Sequence, residues 1–124
     1  MEGMLGQVPS WMENLAEPAS EHSWGLFRDL NLGTDTELAA REKALIGVAV
    51  AAAINCPYCT YFHTEEARLS GVADAELKET VNLAADTKYF STILHGNETD
   101  LDEFRTETDE IVEHIMEQQA AADD

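Results

Sequence analysis

The apolar stretch between Gly47 and Ile54 constrains the fold more than any other feature of this 124-residue chain. Its residues are glycine, alanine, valine and isoleucine, so a helix built from them is small and apolar on every side. A helix of that kind has to be buried all round, between neighbouring helices. At this chain length a second subunit is the expected source of part of that cover. The stretch therefore predicts a helical protein that forms an oligomer.

Helix signals also dominate the rest of the chain, whereas no segment alternates apolar and polar residues long enough to indicate a strand. The pattern predicts an all-α fold of about six helices, over residues 10–18, 20–30, 57–70, 74–95 and 101–116 and, as the third helix, one whose apolar body is 39–54. Thr34 or Asp35 is the expected N-cap of the third helix, and Thr99 or Asp100 that of the last. Gly71 is expected to end the helix that begins at Pro57.

Length and charge limit the class of protein. We expect one domain over residues 1–124, with loosely ordered ends at residues 1–10 and 120–124. Twenty-five acidic residues against seven lysines and arginines give a net charge of −18. Such a surface repels nucleic acid and disfavours anionic membranes. Because the acidic residues are spread over every polar segment, the pattern is typical of halophilic proteins.

Targeting signals are not evident. The longest apolar run, from Ala44 to Ile54, is shorter than the roughly 20 residues that span a bilayer. The first residues, Met1-Glu2-Gly3, lack the basic region of a signal peptide. We therefore expect a cytoplasmic protein, in which a close pair of cysteines serves catalysis or metal binding more often than a structural bridge.

Both cysteines of the chain lie in the segment Cys56-Pro57-Tyr58-Cys59-Thr60-Tyr61-Phe62-His63. Pro57 favours the opening turn of a helix, which places Cys56 at the N-cap and Cys59 in the first turn. His63 follows Cys59 by four residues and shares its helix face. A thiol near a helix N-terminus with an imidazole one turn away is poised to become a thiolate. The spacing also brings the two sulfurs within disulfide reach. The segment predicts redox chemistry.

Two other interpretations of these residues stay open at this point. Structural zinc takes four ligands, of which Cys56, Cys59 and His63 supply three. The fourth would come from His95, His114, a carboxylate or a water. Alternatively, the two cysteines are simply small buried apolar residues.

A proton relay through His63 needs a carboxylate or water behind the imidazole. The candidates are Glu37 and Glu42, on the preceding helix, and Glu66, three residues beyond His63 on its own helix. Sequence spacing does not select among these three carboxylates.

Several of these segments together resemble the carboxymuconolactone decarboxylase-like superfamily. They are Arg41–Val50, Cys56–Cys59 with His63-Thr64-Glu65, Leu69–Val72 and Asp74–Leu77. The CxxCxxxH pattern is similar to that of the alkyl hydroperoxidase, or AhpD-like, branch, and the similar region covers about residues 37–85. This resemblance implies an all-helical homo-oligomer, a trimer or hexamer, with no cofactor or metal.

The resemblance also implies a peroxiredoxin-like chemistry. Cys59, paired with His63, would attack a hydroperoxide and become a sulfenic acid, which Cys56 would resolve as a disulfide. An external dithiol, lipoyl or thioredoxin-like, would then reduce the pair. The alternative within the same superfamily is a decarboxylase-type lyase, which needs no thiols.

The chain departs from the AhpD-like branch at two positions. The branch has a relay glutamate twelve residues before the first cysteine and a histidine between the cysteines, where this chain has Ala44 and Tyr58. Glu42 lies two residues upstream of the expected carboxylate, about 200° around a helix that turns about 100° per residue. Glu42 is therefore a relay candidate only in a shifted register.

Overall fold

The computed structural model describes residues 1–123, where six α-helices and no strand confirm the all-α fold. The helices are α1 (Glu2–Leu5), α2 (Glu17–Leu26), α3 (Ala40–Ala53), α4 (Pro57–Leu69), α5 (Asp74–Gly96) and α6 (Leu101–Asp123). A 3-10 helix at Ser10–Asn14 precedes α2, and a π-helical segment at Phe27–Asn31 follows it. None of the helices in this range has the length and apolar character that crossing a bilayer requires.

The chain divides into two compact units, of which the first comprises Met1–Ala84. Its centre is the packing of α3 against α4. Small side chains make this approach close, since the buried core consists of Ala44, Val48, Ala67, Val72 and Leu77. The two helices are joined through Asn55, whose φ of 59° lies in the left-handed region that asparagine tolerates better than most residues.

The apolar stretch between Gly47 and Ile54 forms most of the second half of α3, and the chain buries only one side of it. Val48 and Ala51 are buried, whereas Ile46, Val50 and Ile54 remain about half exposed. The expectation of burial on every side is therefore not met within a single chain.

The sequence placed the cysteine helix well and the earlier boundaries less well. The helix α4 begins at Pro57 and ends at Leu69, and Gly71 follows in the left-handed conformation at φ 82°, as predicted. The prediction for α3 was wrong, because α3 starts at Ala40 instead of after Thr34 or Asp35. Pro18 does not end a helix but lies in the first turn of α2, where its missing N–H leaves no bond unmade.

The second unit runs from Ala85 onward and contains the end of α5 and all of α6. Asp100 caps α6, since its carboxylate accepts a hydrogen bond of 3.0 Å from the backbone N–H of Glu103. No residue of α6 is buried within the described chain. Helical backbone extends to Asp123 and also covers residues 2–5. Loose order at residues 1–10 and 120–124 stays a prediction. The expectation for Asp124 lies outside the described residues.

Candidate active site

The two cysteines occupy the start of α4. Cys56 is the N-cap, and its sulfur accepts a hydrogen bond of 3.1 Å from the backbone N–H of Cys59. The two residues form a disulfide with a Cα–Cα distance of 5.3 Å. The predicted N-cap and the predicted disulfide reach are both confirmed. Tyr58, which replaces the histidine of the AhpD-like branch, is 84% exposed between them.

His63 lies one turn further along α4 and is held from behind by a carboxylate. Its Nδ1 is 2.5 Å from Oε1 of Glu66, and both side chains are about one-fifth exposed. The other oxygen of Glu66 accepts a hydrogen bond of 2.8 Å from the side-chain amide of Asn31. The result is a chain of contacts from Asn31 through Glu66 to His63. Its first member comes from the π-helical segment, 35 residues away from Glu66 in sequence.

Of the three carboxylates that spacing could not separate, only Glu66 contacts His63. Glu42 is exposed, and its carboxylate accepts a hydrogen bond of 2.7 Å from the backbone N–H of Ala39. It therefore caps the first turn of α3, which also explains why that helix begins where it does. Glu37 is exposed in the loop before α3. The structure thus gives Glu42 a capping contact, not the relay contact that the sequence considered.

Gly47 lets the imidazole of His63 lie directly against the backbone of α3. A Cβ atom built on Gly47 would overlap the ring of His63. Sequence reasoning had used Gly47 only as one residue of the apolar stretch. The available signal was a glycine inside an alanine- and valine-rich helix, which often marks a close approach.

Cys59 and His63 open into a groove of about 530 Å³ in the first unit. Its walls are mostly large apolar side chains, namely Leu26, Phe27, Leu30, Leu38, Ile46, Val50 and Ile54. Phe62 makes an edge contact with His63 at a ring-centroid distance of 5.5 Å. We call the groove lined by Cys59 and His63 the apolar groove.

Cys56 opens into a different groove of about 590 Å³. Its lining includes Tyr61, Thr64 and Arg68, and the Arg68 guanidinium lies 3.1 Å from Glu65 and 3.7 Å from Asp74. Cys56 and Cys59 therefore line different grooves. Among the described residues both linings are mostly apolar, but only the groove at Cys56 includes a carboxylate, that of Glu65.

The π-helical segment that contains Asn31 also has an ion pair. The Arg28 guanidinium donates hydrogen bonds of 2.7 and 2.8 Å to the carboxylate of Asp29. These hydrogen bonds lower the pKa of Asp29 below its ordinary value and raise the pKa of Arg28. The pair is therefore fully charged at neutral pH, and titration of Asp29 is confined to acidic solution.

The residues proposed for zinc do not form a metal-binding group among the described residues. Within residues 1–123 no group of three histidine, cysteine or acidic side chains has an arrangement that would hold a metal ion. Both cysteine sulfurs are taken up in the disulfide. The suggested fourth ligands, His95 and His114, lie in the second unit.

Comparisons with known proteins show the family of this chain. The model of the carboxymuconolactone decarboxylase family matches residues 16–98, which contain both cysteines, His63 and Glu66. A relative in Paracoccus denitrificans, called uncharacterized protein 4 in cox locus, is 35% identical over 63 residues. That match covers 51% of this chain and 57% of the relative, so the chain spans little more than half the relative's length.

A solved structure is also similar to this chain. The crystal structure of a protein from Methanobacterium thermoautotrophicum, a structural genomics target, is 33% identical and has a TM-score of 0.59. The match covers 71% of this chain and 96% of that chain.

Proposed function

Because the chain belongs to the carboxymuconolactone decarboxylase family, we propose that it is a thiol oxidoreductase that reduces organic hydroperoxides through Cys56 and Cys59. The observation that supports this most directly is the disulfide at the start of α4, with His63 one turn further on and Glu66 behind it. A lyase of the same family would have no use for two cysteines in this arrangement.

The first step begins with the reduced protein. His63 takes the proton of Cys59, whose position in the first turn of α4 stabilises a thiolate through the helix dipole. The thiolate attacks the outer oxygen of the hydroperoxide, and the O–O bond breaks. The leaving alkoxide takes a proton and departs as the alcohol, while Cys59 becomes a sulfenic acid.

The second step closes the disulfide. The thiol of Cys56 loses its proton and attacks the sulfenic sulfur of Cys59, the S–O bond breaks, and the departing hydroxide takes up a proton and leaves as water. An external dithiol, lipoyl or thioredoxin-like, then supplies two electrons by thiol–disulfide exchange and becomes a disulfide itself. The groove at Cys56, whose lining includes Glu65 and Arg68, is the side on which this exchange would take place, because Cys59 lines the apolar groove.

Glu66 replaces the relay carboxylate that is absent at Ala44. Its contact with Nδ1 orients the imidazole and leaves the second ring nitrogen for the thiol of Cys59. Asn31 in turn holds the carboxylate in place. In this proposal, Glu66 is a positioning residue that acts through His63.

The test is consumption of an alkyl hydroperoxide in 1 M salt with dithiothreitol as the dithiol. We expect the variant Cys59→Ser to lose at least about 100-fold in turnover, because no thiolate faces the peroxide. In Cys56→Ser a sulfenic acid should form once and be trapped by a 1,3-dione. Thr60→Ser, on the same turn, should match the parent.

Turnover by Cys59→Ser at the parent's rate would disprove the assigned roles. If the double variant Cys56→Ser, Cys59→Ser decarboxylated a carboxymuconolactone as fast as the parent, the protein would be a lyase instead.

We further propose that the protein is a homo-oligomer. On α6 six large apolar side chains are between 39% and 62% exposed: Leu101, Phe104, Ile111, Val112, Ile115 and Met116. They recur at helical spacing and form an apolar stripe, whereas Glu103, Glu110 and Glu117 lie on the opposite side of the helix. A second copy can therefore cover the stripe while the acidic side chains of both copies point away from the contact.

A further inference from the structure

The described lining of the apolar groove contains no carboxylate, although that of Glu66 contacts two of the lining residues, Asn31 and His63. Although the protein has 25 acidic residues, none of the described ones lines this groove. Its one permanently charged side chain is that of Lys43, near the beginning of α3. The neighbouring groove at Cys56, by contrast, has Glu65 in its rim.

Lys43 is held in place without a carboxylate. Its ammonium group donates hydrogen bonds of 2.8 Å to the carbonyl oxygens of Leu30 and Gly33. Among residues 1–123 no acidic side chain forms an ion pair with it. An ammonium has three N–H donors, and two are used here. The third is free for a ligand acceptor, and the positive charge is not neutralised.

An apolar strip leads from Lys43 towards the cysteines. Ile46, Val50 and Ile54 follow it along α3 at spacings of three and four residues, so they share one side of the helix. Ala51, which also lines the groove, is eight residues beyond Lys43, or about 12 Å along the helix axis. The groove thus has a cationic end, an apolar floor, and Cys59 with His63 in its lining.

From this arrangement we infer that the groove binds an apolar chain that carries a carboxylate, with the carboxylate at Lys43 and the chain along Ile46 and Val50. Given the proposed function, the substrates favoured by this site are hydroperoxides of such acids. Binding of the unoxidised acid requires no thiol chemistry.

The probe is decanoate, compared with decanol, which has the same chain and no charge. Binding of each to the full-length protein is measured by calorimetry in 1 M KCl. We expect the parent to bind decanoate about tenfold more tightly than decanol, the size of one charge-assisted contact. Lys43→Gln should lose this preference and keep its affinity for decanol. The matched variant Lys78→Gln removes one positive charge from an exposed position on α5 and should keep the preference.

Equal affinity of the parent for decanoate and decanol would overturn the inference, and so would an equal loss of preference in both glutamine variants. If Lys43→Gln loses decanol binding as well, that substitution has changed the groove itself. The variant Lys43→Arg then tests the inference. It keeps the positive charge, so retention of the preference supports the inference and its loss overturns it. A protein that binds decanoate as expected but reduces no hydroperoxide would contradict the proposed function alone.

Discussion

The α3–α4 pair and the second unit use their apolar residues in different ways. In the first, Ala44, Val48 and Ala67 are buried where two helices approach closely, and the reactive groups sit at that junction. In the second, large side chains such as Phe104 and Ile111 are exposed along α6. The first unit therefore has a buried core within one chain, although part of α3 stays exposed, whereas no described residue of the second unit is buried.

The two units also differ in net charge. Residues 1–84 contain 13 acidic and five basic side chains, a net charge of −8. Residues 85–124 contain 12 acidic and two basic side chains, a net charge of −10 over fewer than half as many positions. The second unit thus combines the exposed apolar stripe with the denser negative charge. If the proposed homo-oligomer forms, we expect the stability of the second unit to depend more than that of the first on a partner surface and on screening by salt.

The largest expected effect is loss of assembly on introducing a charge into the stripe. In Ile111→Glu, a carboxylate would have to be buried between two copies, at a cost of several kcal/mol. We expect light scattering in 1 M salt to show an oligomer for the parent and a monomer for the variant. Thr106→Glu adds the same charge on the acidic side of α6 and should leave the mass unchanged. A monomeric parent, or dissociation of both variants, would contradict the proposed interface.

A pair of glycine substitutions compares the two regions directly. In Gly47→Ala the added methyl group overlaps the ring of His63, so we expect about 1–3 kcal/mol of destabilisation. Displacement of the imidazole should also lower peroxide turnover by about 10- to 100-fold. In Gly96→Ala, at the end of α5, the methyl group enters open space. That variant should be as stable as the parent or more stable by up to about 1 kcal/mol.

Denaturant unfolding and the peroxide assay measure both effects. Similar behaviour of the two variants would show that the close approach at Gly47 does not position His63.

Local signals were sufficient for the cysteine helix but not for the residues behind it. Pro57 and Gly71 fixed the two ends of α4, because proline and glycine act through the backbone at their own positions. The start of α3 was predicted wrongly. The hydrogen bond from the Ala39 N–H to Glu42 places the N-cap at Ala39, five residues after Thr34. Several capping residues compete in such a loop, and local preference alone does not rank them.

The carboxylate that contacts His63 could be identified only from the structure. Glu37, Glu42 and Glu66 were all candidates, and sequence spacing did not select among them. In the structure only Glu66 contacts His63, and Asn31, from a π-helical segment that the sequence predicted as ordinary helix, holds its other carboxylate oxygen. A contact across 35 residues leaves no periodic signal.

A smaller expected effect tests that carboxylate. In Glu66→Gln the partner of His63 loses its charge, and we expect about tenfold slower alkylation of Cys59 by iodoacetamide. The measurement uses the Cys56→Ser background, in which Cys59 is the only thiol. Glu65→Gln is the matched control, because its carboxylate contacts Arg68 at the surface instead of His63. Equal rates of Cys59 alkylation in the two variants would show that Glu66 does not act through His63. Equal free energies of unfolding of the two variants would exclude a general loss of structure as the cause of a slower rate.

The smallest expected effect is that of salt on the two regions. Raising KCl from about 0.1 to 1 M shortens the screening length from about 10 to 3 Å, which weakens repulsion among like charges. Because the second unit has the denser charge, we expect amide hydrogen exchange in α6 to slow by about fivefold. In α3 the change should be below roughly twofold, since screening also weakens the surface ion pairs of the first unit, such as Arg68 with Glu65. An equal response of both helices, or the same pattern with sucrose in place of KCl, would show that charge does not distinguish the regions.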